Sequence, residues 1–304
     1  MEVSNGDIIK QQLTEIAKVI GVPRSIISDD GSDIRAGVQK YLEATKGPIA
    51  GITDMKHKAA SLLKKAINRT PCWGRFTSAA NACRNRLKQT PGAAIMPPNQ
   101  RSKCRYMNAH ILTEWAAGSL VLLRRQSKTF EKQGFDRAAV VAELSWLREY
   151  QDKISDWGDA VSIAQTATKV VAQNGYSSST PKQIRSAVKG HALGPVSKEV
   201  RAEILEFVAQ QTHAANLRKN EVLPGSTEVL ESLIGSVKNM EGDQASKGFT
   251  DLILAAGAKV TRTTLDVVSR AMTTTAATVK EWRDQNLGDT FGAKRRRIGL
   301  LMDG

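Results

Sequence analysis

The sequence predicts a mixed α/β protein, mostly helical overall, in which a short α/β block is interrupted by a large all-helical segment. Three observations predict this. Over residues 7–70, two short β-branched runs alternate with three helical periodicities. From 71 to 222 the patterning is helical almost throughout. After residue 226 helical patterning resumes and ends in a basic tail.

The elements follow in order. Ile9, Leu13, Ile16, Ala17 and Ile20 recur at helical spacing, and Gly21-Val22-Pro23 stops that helix. Ser25-Ile26-Ile27-Ser28 reads as a short buried strand. Gly31-Ser32 makes the turn, with Ser32 as N-cap of a helix carrying Ile34, Val38, Tyr41 and Leu42 on one face. Gly47-Pro48 breaks it, and Ile49–Thr53 is the second strand. Asp54 opens a third helix with Ala59, Leu62, Leu63, Ala66 and Ile67 inward and Lys56, Lys64, Lys65 and Arg69 on its other surfaces. Two strands make a small sheet with an exposed edge, which points to further strands.

The helical middle holds Trp73, Trp115, Trp146 and Trp157, read as core anchors in preference to base-stacking platforms. Breaks fall near Thr90-Pro91-Gly92, Met96-Pro97-Pro98, Asn174–Ser179 and Gly194-Pro195. Beyond Ser226, residues 246–258 and 262–286 read as two more helices. The expected division is therefore 1–70, 71–222 and 223–304.

Composition narrows the partner. The 304 residues hold 44 Lys and Arg against 30 Asp and Glu, a formal net charge of +14. Such an excess favours a polyanion, above all nucleic acid. The three cysteines, Cys72, Cys83 and Cys104, match no zinc-site spacing and read as reduced thiols. The N-terminal residues show no signal-peptide pattern, and no apolar run reaches the ~18 residues of a membrane helix. A cytoplasmic, nucleoid-associated protein without a membrane partner is expected.

Two carboxylates stand out. Asp29 ends the first strand. Glu231 lies on a helix whose Leu230, Leu233, Ile234, Val237 and Met240 fall within roughly 120° of arc at 100° per residue. Glu231 and Lys238 share the flank of that stripe, while Glu228 lies nearly opposite it. Taken alone, Glu231 reads as a helix-surface carboxylate; together with a strand-end carboxylate it reads as a ligand. Phosphodiester cleavage and strand transfer need phosphate charge neutralised and a nucleophile activated, which two Mg²⁺ ions held by carboxylates accomplish.

The stretch Ile26-Ile27-Ser28-Asp29-Asp30-Gly31-Ser32-Asp33, the following Thr53-Asp54-Met55-Lys56-His57-Lys58, and Glu231 with Lys238 seven positions on resemble blocks of DDE-type bacterial insertion-sequence transposases. Asn239–Thr250, Trp282–Gly288 and Lys294–Arg297 look like the C-terminal end of such proteins. The resemblance covers residues 7–70 and 225–300. It implies an RNase H-like core interrupted by a helical insertion, with Asp29 and Glu231 as catalytic residues and ligands of Mg²⁺ or Mn²⁺. Lys238 would then contact DNA phosphate, joined by Lys56, Lys58, Arg295, Arg296 and Arg297. It also implies a homodimer.

The family's first Asp has no counterpart before the helix at 7–20, so the resemblance implies an N-terminally truncated core and a catalyst incomplete by itself. Asp7 reads as a helix-start acid. Asp30 and Asp33 are substitute ligands on paper, with Asp33 better read as a first-turn helix acid. Asp54 and His57 are accessory positions, Asp54 being equally a helix N-cap and His57 structural or DNA-facing. The alternative to a transposase is its non-catalytic DNA-binding remnant.

Overall fold

The computed structural model describes residues 5–100, 108–126, 130, 136–191, 194–241, 261–262 and 264–286. The chain is mostly helical and forms two compact units, Met1–Ser226 and Thr227–Gly304.

The first unit opens with α1 (Gly6–Ile20). The Asn5 side chain caps it, accepting from Asp7 N and Ile8 N, and Gly21 ends it at φ 86°. Asp7 lies in the first turn, as expected of a helix-start acid, and also pairs with Lys40 at 2.7 Å. α2 (Ser32–Ala44) crosses α1 closely, because a Cβ on Gly37 would lie 2.5 Å from Ile9 Cβ. Only glycine permits that approach, which offsets its ~1 kcal/mol cost in a helix. Ser32 is the first residue of α2 and not its cap; Gly31 holds the cap position without a side-chain bond.

β1 (Ser25–Ser28) and β2 (Ala50–Thr53) pair in parallel, with Ser25 opposite Ala50 and Ser28 opposite Thr53. β2 buries Ala50 and Ile52, and its outer edge is covered where Gln211 Oε1 accepts from Thr53 N at 2.7 Å. β1 departs from the expected buried strand, since all four of its residues are half-exposed. Arg24 O and Ser28 O accept from Ala50 N and Asp54 N, so the alternation of a parallel ladder turns the peptide groups of Ser25 and Ile27 away from β2. Those peptide groups have no partner among the described residues. On the same side of the chain order, α1 buries no residue, and Val19 is 85 % exposed.

α3 (Met55–Asn68) turns Ala59, Leu63, Ala66 and Ile67 inward and passes the chain to α4 (Pro71–Leu87). After a 3₁₀ turn at Pro91–Ile95 come α5 (Ala109–Leu123), α6 (Arg137–Leu144), a second 3₁₀ turn at Ser145–Tyr150, α7 (Gln151–Asn174), α8 (Thr180–Ala187) and α9 (Pro195–Ala214). α7 is the spine, with α3, α5, α8 and α9 packed on it. The aromatic anchors meet there: Trp73 stands edge-on to Trp157 at 4.8 Å, and Phe76 lies 5.1 Å from Trp157. Trp146 and Tyr150 close the cluster, and Trp115 Nε1 donates to Ile95 O. The tryptophans are core residues, as their spacing among helical patterns predicts.

Buried Asp156 on α7 accepts from Val196 N, Ser197 N and the Ser197 hydroxyl at 2.6–3.0 Å. It thereby caps α9 from a neighbouring helix and satisfies an otherwise costly buried charge.

In the second unit, α10 (Glu228–Glu241) is followed by α11 (Leu265–Thr273) and α12 (Ala276–Asn286). The expected single helix over 262–286 is thus interrupted at Thr274, where the Thr275 hydroxyl accepts from Thr278 N and starts α12. Threonine hydroxyls compete with the helical ladder in this way. The helix expected over 246–258 lies outside the described residues. Among the described residues no helix is long and apolar enough to cross a membrane.

Candidate functional site

The carboxyl end of the β1–β2 sheet gathers most of the polar residues singled out above. Open α/β sheets place ligands at this edge, where strands end and loops begin. Asp29 follows β1 directly and is half-exposed. Its Oδ1 accepts from Gly31 N at 3.2 Å, closing a local turn. Asp30 faces two cations, Arg35 at 3.3 Å and Lys58 at 3.0 Å. Lys58 also lies 5.5 Å over the Phe207 ring, so this lysine, expected to meet DNA, is held by an acid and an aromatic of its own unit. Asp33 is an exposed acid in the first turn of α2.

Asp54 follows β2 and is 1 % exposed. Its Oδ1 accepts from His57 N at 2.9 Å and lies 3.2 Å from His57 Nδ1. Of the two expectations for Asp54, the structure shows the helix N-cap. His57 is half-buried against it, and Lys56 is half-exposed one residue earlier.

Glu231 belongs to the second unit. It sits in the first turn of α10, half-exposed, with its N–H donating to Thr227 O, while Glu228 is exposed. The stripe beside it is only partly covered: Leu233 and Val237 are half-buried, whereas Leu230 is 58 % and Ile234 54 % exposed. Helical period says which residues lie together, and burial depends on what packs against them. Lys238 is on the same helix. Arg295, Arg296 and Arg297 lie outside the described residues.

The chemistry of the donors bears on a divalent cation. Among the described residues, no three His, Cys, Asp or Glu side chains gather into a metal-binding group. Asp29 fits the role of a single hard oxygen ligand, being half-exposed with one oxygen taken by a turn N–H. Asp30 is neutralised by two cations and Asp54 is committed to a cap, so neither offers a second free carboxylate.

Sequence reasoning missed one element that frames this edge. Arg24, just before β1, donates through Nε and a terminal nitrogen to both Glu221 oxygens at 2.8 and 2.7 Å. The same guanidinium donates to Pro48 O, Ala215 O and Asn216 O. Arg24 thereby ties the start of β1 to the turn before β2, the carbonyl end of α9 and the strap that follows it. Its hydrogen bond, and then the backbone N–H of Arg218, hold the Glu221 carboxyl below its ordinary range. The partners after α9 lie almost two hundred positions away, and no local pattern marks them. No protein-family model, curated protein or solved structure matches the chain.

Proposed function

We propose that this chain is a transposase-like protein of DNA transposition, whose chemistry is phosphodiester cleavage and strand transfer, and that it holds two of the carboxylates this chemistry needs, Asp29 and Glu231. The observation that carries the reading is Asp29: a half-exposed carboxylate at the carboxyl end of a parallel strand, with its acidic neighbours Asp30 and Asp54 already committed. The +14 charge supports DNA as the partner. When bound, Mg²⁺ or Mn²⁺ would supply phosphate neutralisation and a nucleophile of lowered pKa. The protein's part is to hold the cation through Asp29 and Glu231 and the DNA backbone through Lys238, Lys56 and the basic tail at Arg295–Arg297. Lys58 supports the site from its ion pair with Asp30. A homodimer in a cytoplasmic, nucleoid-associated setting belongs to the same reading.

Mn²⁺ binding to the full chain tests it. Asp29→Ala and Glu231→Ala should each weaken binding, and the double variant should abolish it. Unchanged Mn²⁺ affinity in both single variants would remove the catalytic reading.

A second reading, a DNA-binding remnant without catalysis, rests on the formal net charge of +14, which favours a polyanionic partner by itself. It expects DNA retention that falls steeply with salt, needs no Mg²⁺, and survives Asp29→Ala combined with Glu231→Ala. Loss of retention in that double variant at fixed salt counts against it.

A further inference from the structure

The excess positive charge is concentrated in one stretch of the chain. Between Met55 and Thr113 fall twelve of the 44 Lys and Arg and none of the 30 Asp and Glu, so almost all of the formal net charge of +14 arises there. The fold neutralises part of it with acids from other elements. On α3, Lys58 pairs with Asp30, Lys65 with Glu203 and Arg69 with Glu199. On α4, Arg84 donates to Pro97 O at 2.6 Å and Arg86 pairs with Glu143 at 3.0 Å. Arg75, near the start of α4, and Lys88, at its C-cap, are exposed and have no ion pair among the described residues.

Helical period divides α4 into two faces. At about 100° per residue, the buried Trp73, Phe76, Ala80, Cys83 and Leu87 fall within roughly 80° of arc, and Arg75, Ser78, Asn81, Ala82 and Asn85 fall on the far side. All five are exposed. That outer face holds a guanidinium, two carboxamides and a hydroxyl, with no carboxylate. Such groups donate hydrogen bonds to phosphate oxygens and read base edges. Arg75 and Lys88 stand roughly 20 Å apart along the axis at ~1.5 Å per residue, more than the ~12 Å width of a major groove. Cations at that spacing reach a phosphate backbone on each side of the groove, while Asn81 and Asn85 lie between them.

We propose that the outer face of α4 is a surface for duplex DNA, with Arg75 and Lys88 on backbone phosphates and Asn81 and Asn85 turned to base edges in the major groove. The proposal rests on the reading of DNA as the partner and is independent of Asp29 and Glu231. It adds a helix of the first unit to the basic residues already assigned to DNA. A merely solvated basic face would act only through the overall field, in which the position of a given charge matters little.

The experiment is fluorescence anisotropy of a labelled random-sequence DNA duplex with the full chain over a series of salt concentrations. Each phosphate contact contributes about 0.9 to the slope of log affinity against log salt. Arg75→Gln combined with Lys88→Gln should therefore make the slope shallower by about 2. Lys182→Gln combined with Arg185→Gln removes the same charge from exposed positions of α8 and should leave the slope nearly unchanged. Asn81→Ala combined with Asn85→Ala should lower affinity severalfold at fixed salt and keep the slope. Thermal unfolding checks that each variant is folded. An unchanged slope in the α4 pair, or an equal change in the α8 pair, overturns the α4 surface while leaving DNA as the partner. Undiminished affinity in the asparagine pair overturns the groove-facing placement. If the unmodified chain retains no duplex even at low salt, the reading of DNA as the partner fails and the surface falls with it.

Discussion

The α/β block at residues 6–54 and the helical block around α7 share one unit of the chain but differ in how far they are covered. The helical block is closed: Trp157, Phe76, Ile154, Ile163 and Leu147 are fully buried, and its buried charge, Asp156, has three donors. The α/β block is open on one side. α1 buries no residue, β1 is half-exposed throughout, and the outward peptide groups of Ser25 and Ile27 have no partner among the described residues. A helix satisfies its own backbone and needs only a covered stripe, whereas a strand needs a neighbour on each edge. The same short sheet thus shows both conditions: β2, covered by α9, is buried, and β1 is not.

Point substitutions and one pH series probe that contrast, beginning where the largest loss is expected. Trp157→Ala removes the centre of the aromatic cluster and should cost about 3–5 kcal/mol in urea unfolding. Within the sheet, buried Ile52→Ala should cost about 2–4 kcal/mol, while Ile26→Ala, at a half-exposed position of β1, should cost about 1 kcal/mol or less. Equal losses at the two positions would mean that β1 is covered in solution. Asp156→Ala leaves two α9 N–H groups and the Ser197 hydroxyl without their acceptor, and about 1–3 kcal/mol should be lost.

The pH series concerns the Arg24–Glu221 pair. Glu221 has its folded-state pKa lowered, chiefly by the Arg24 hydrogen bond. Its contribution is then present above the ordinary glutamate pKa of about 4.3 and is lost as pH falls through the lowered folded value. The stability difference between the unmodified chain and Glu221→Gln should be constant near neutrality and disappear toward strongly acidic pH. A difference that grows with acid would contradict the ion pair. Smallest of all should be Val19→Ser, within about 0.5 kcal/mol, because that side chain has little apolar contact to lose. A large loss there would show that α1 is packed against something in solution.

Much of the fold was legible in the sequence. The limits of α1 follow from its apolar spacing and Gly21, those of α3 from Asp54 and its inward Ala59, Leu63, Ala66 and Ile67. The tryptophans announced a core because large aromatics amid helical periodicity have few other places to go. Two readings differ from the structure. Ser25–Ser28 is an apolar run that pattern alone equates with burial, yet burial needs a partner surface. Ser32 has the chemistry of a cap, but the turn starts the helix one residue early.

For the candidate site, the sequence by itself determined the inventory: a carboxylate at the end of each strand, a glutamate and a lysine on one helical flank, and an excess of positive charge. Those are properties of local pattern and composition, and they survive in any fold with these elements. Only the tertiary structure decided which acids are spoken for. Asp54 is turned into a cap, Asp30 is divided between Arg35 and Lys58, and Asp29 is left half-exposed. It also decided that Arg24, unremarkable in sequence, grips a strap whose residues lie almost two hundred positions away. The Asp54 cap is local, but the Asp30–Lys58 and Arg24–Glu221 pairs depend on distances of a few ångströms between residues far apart in the chain, and packing sets those distances.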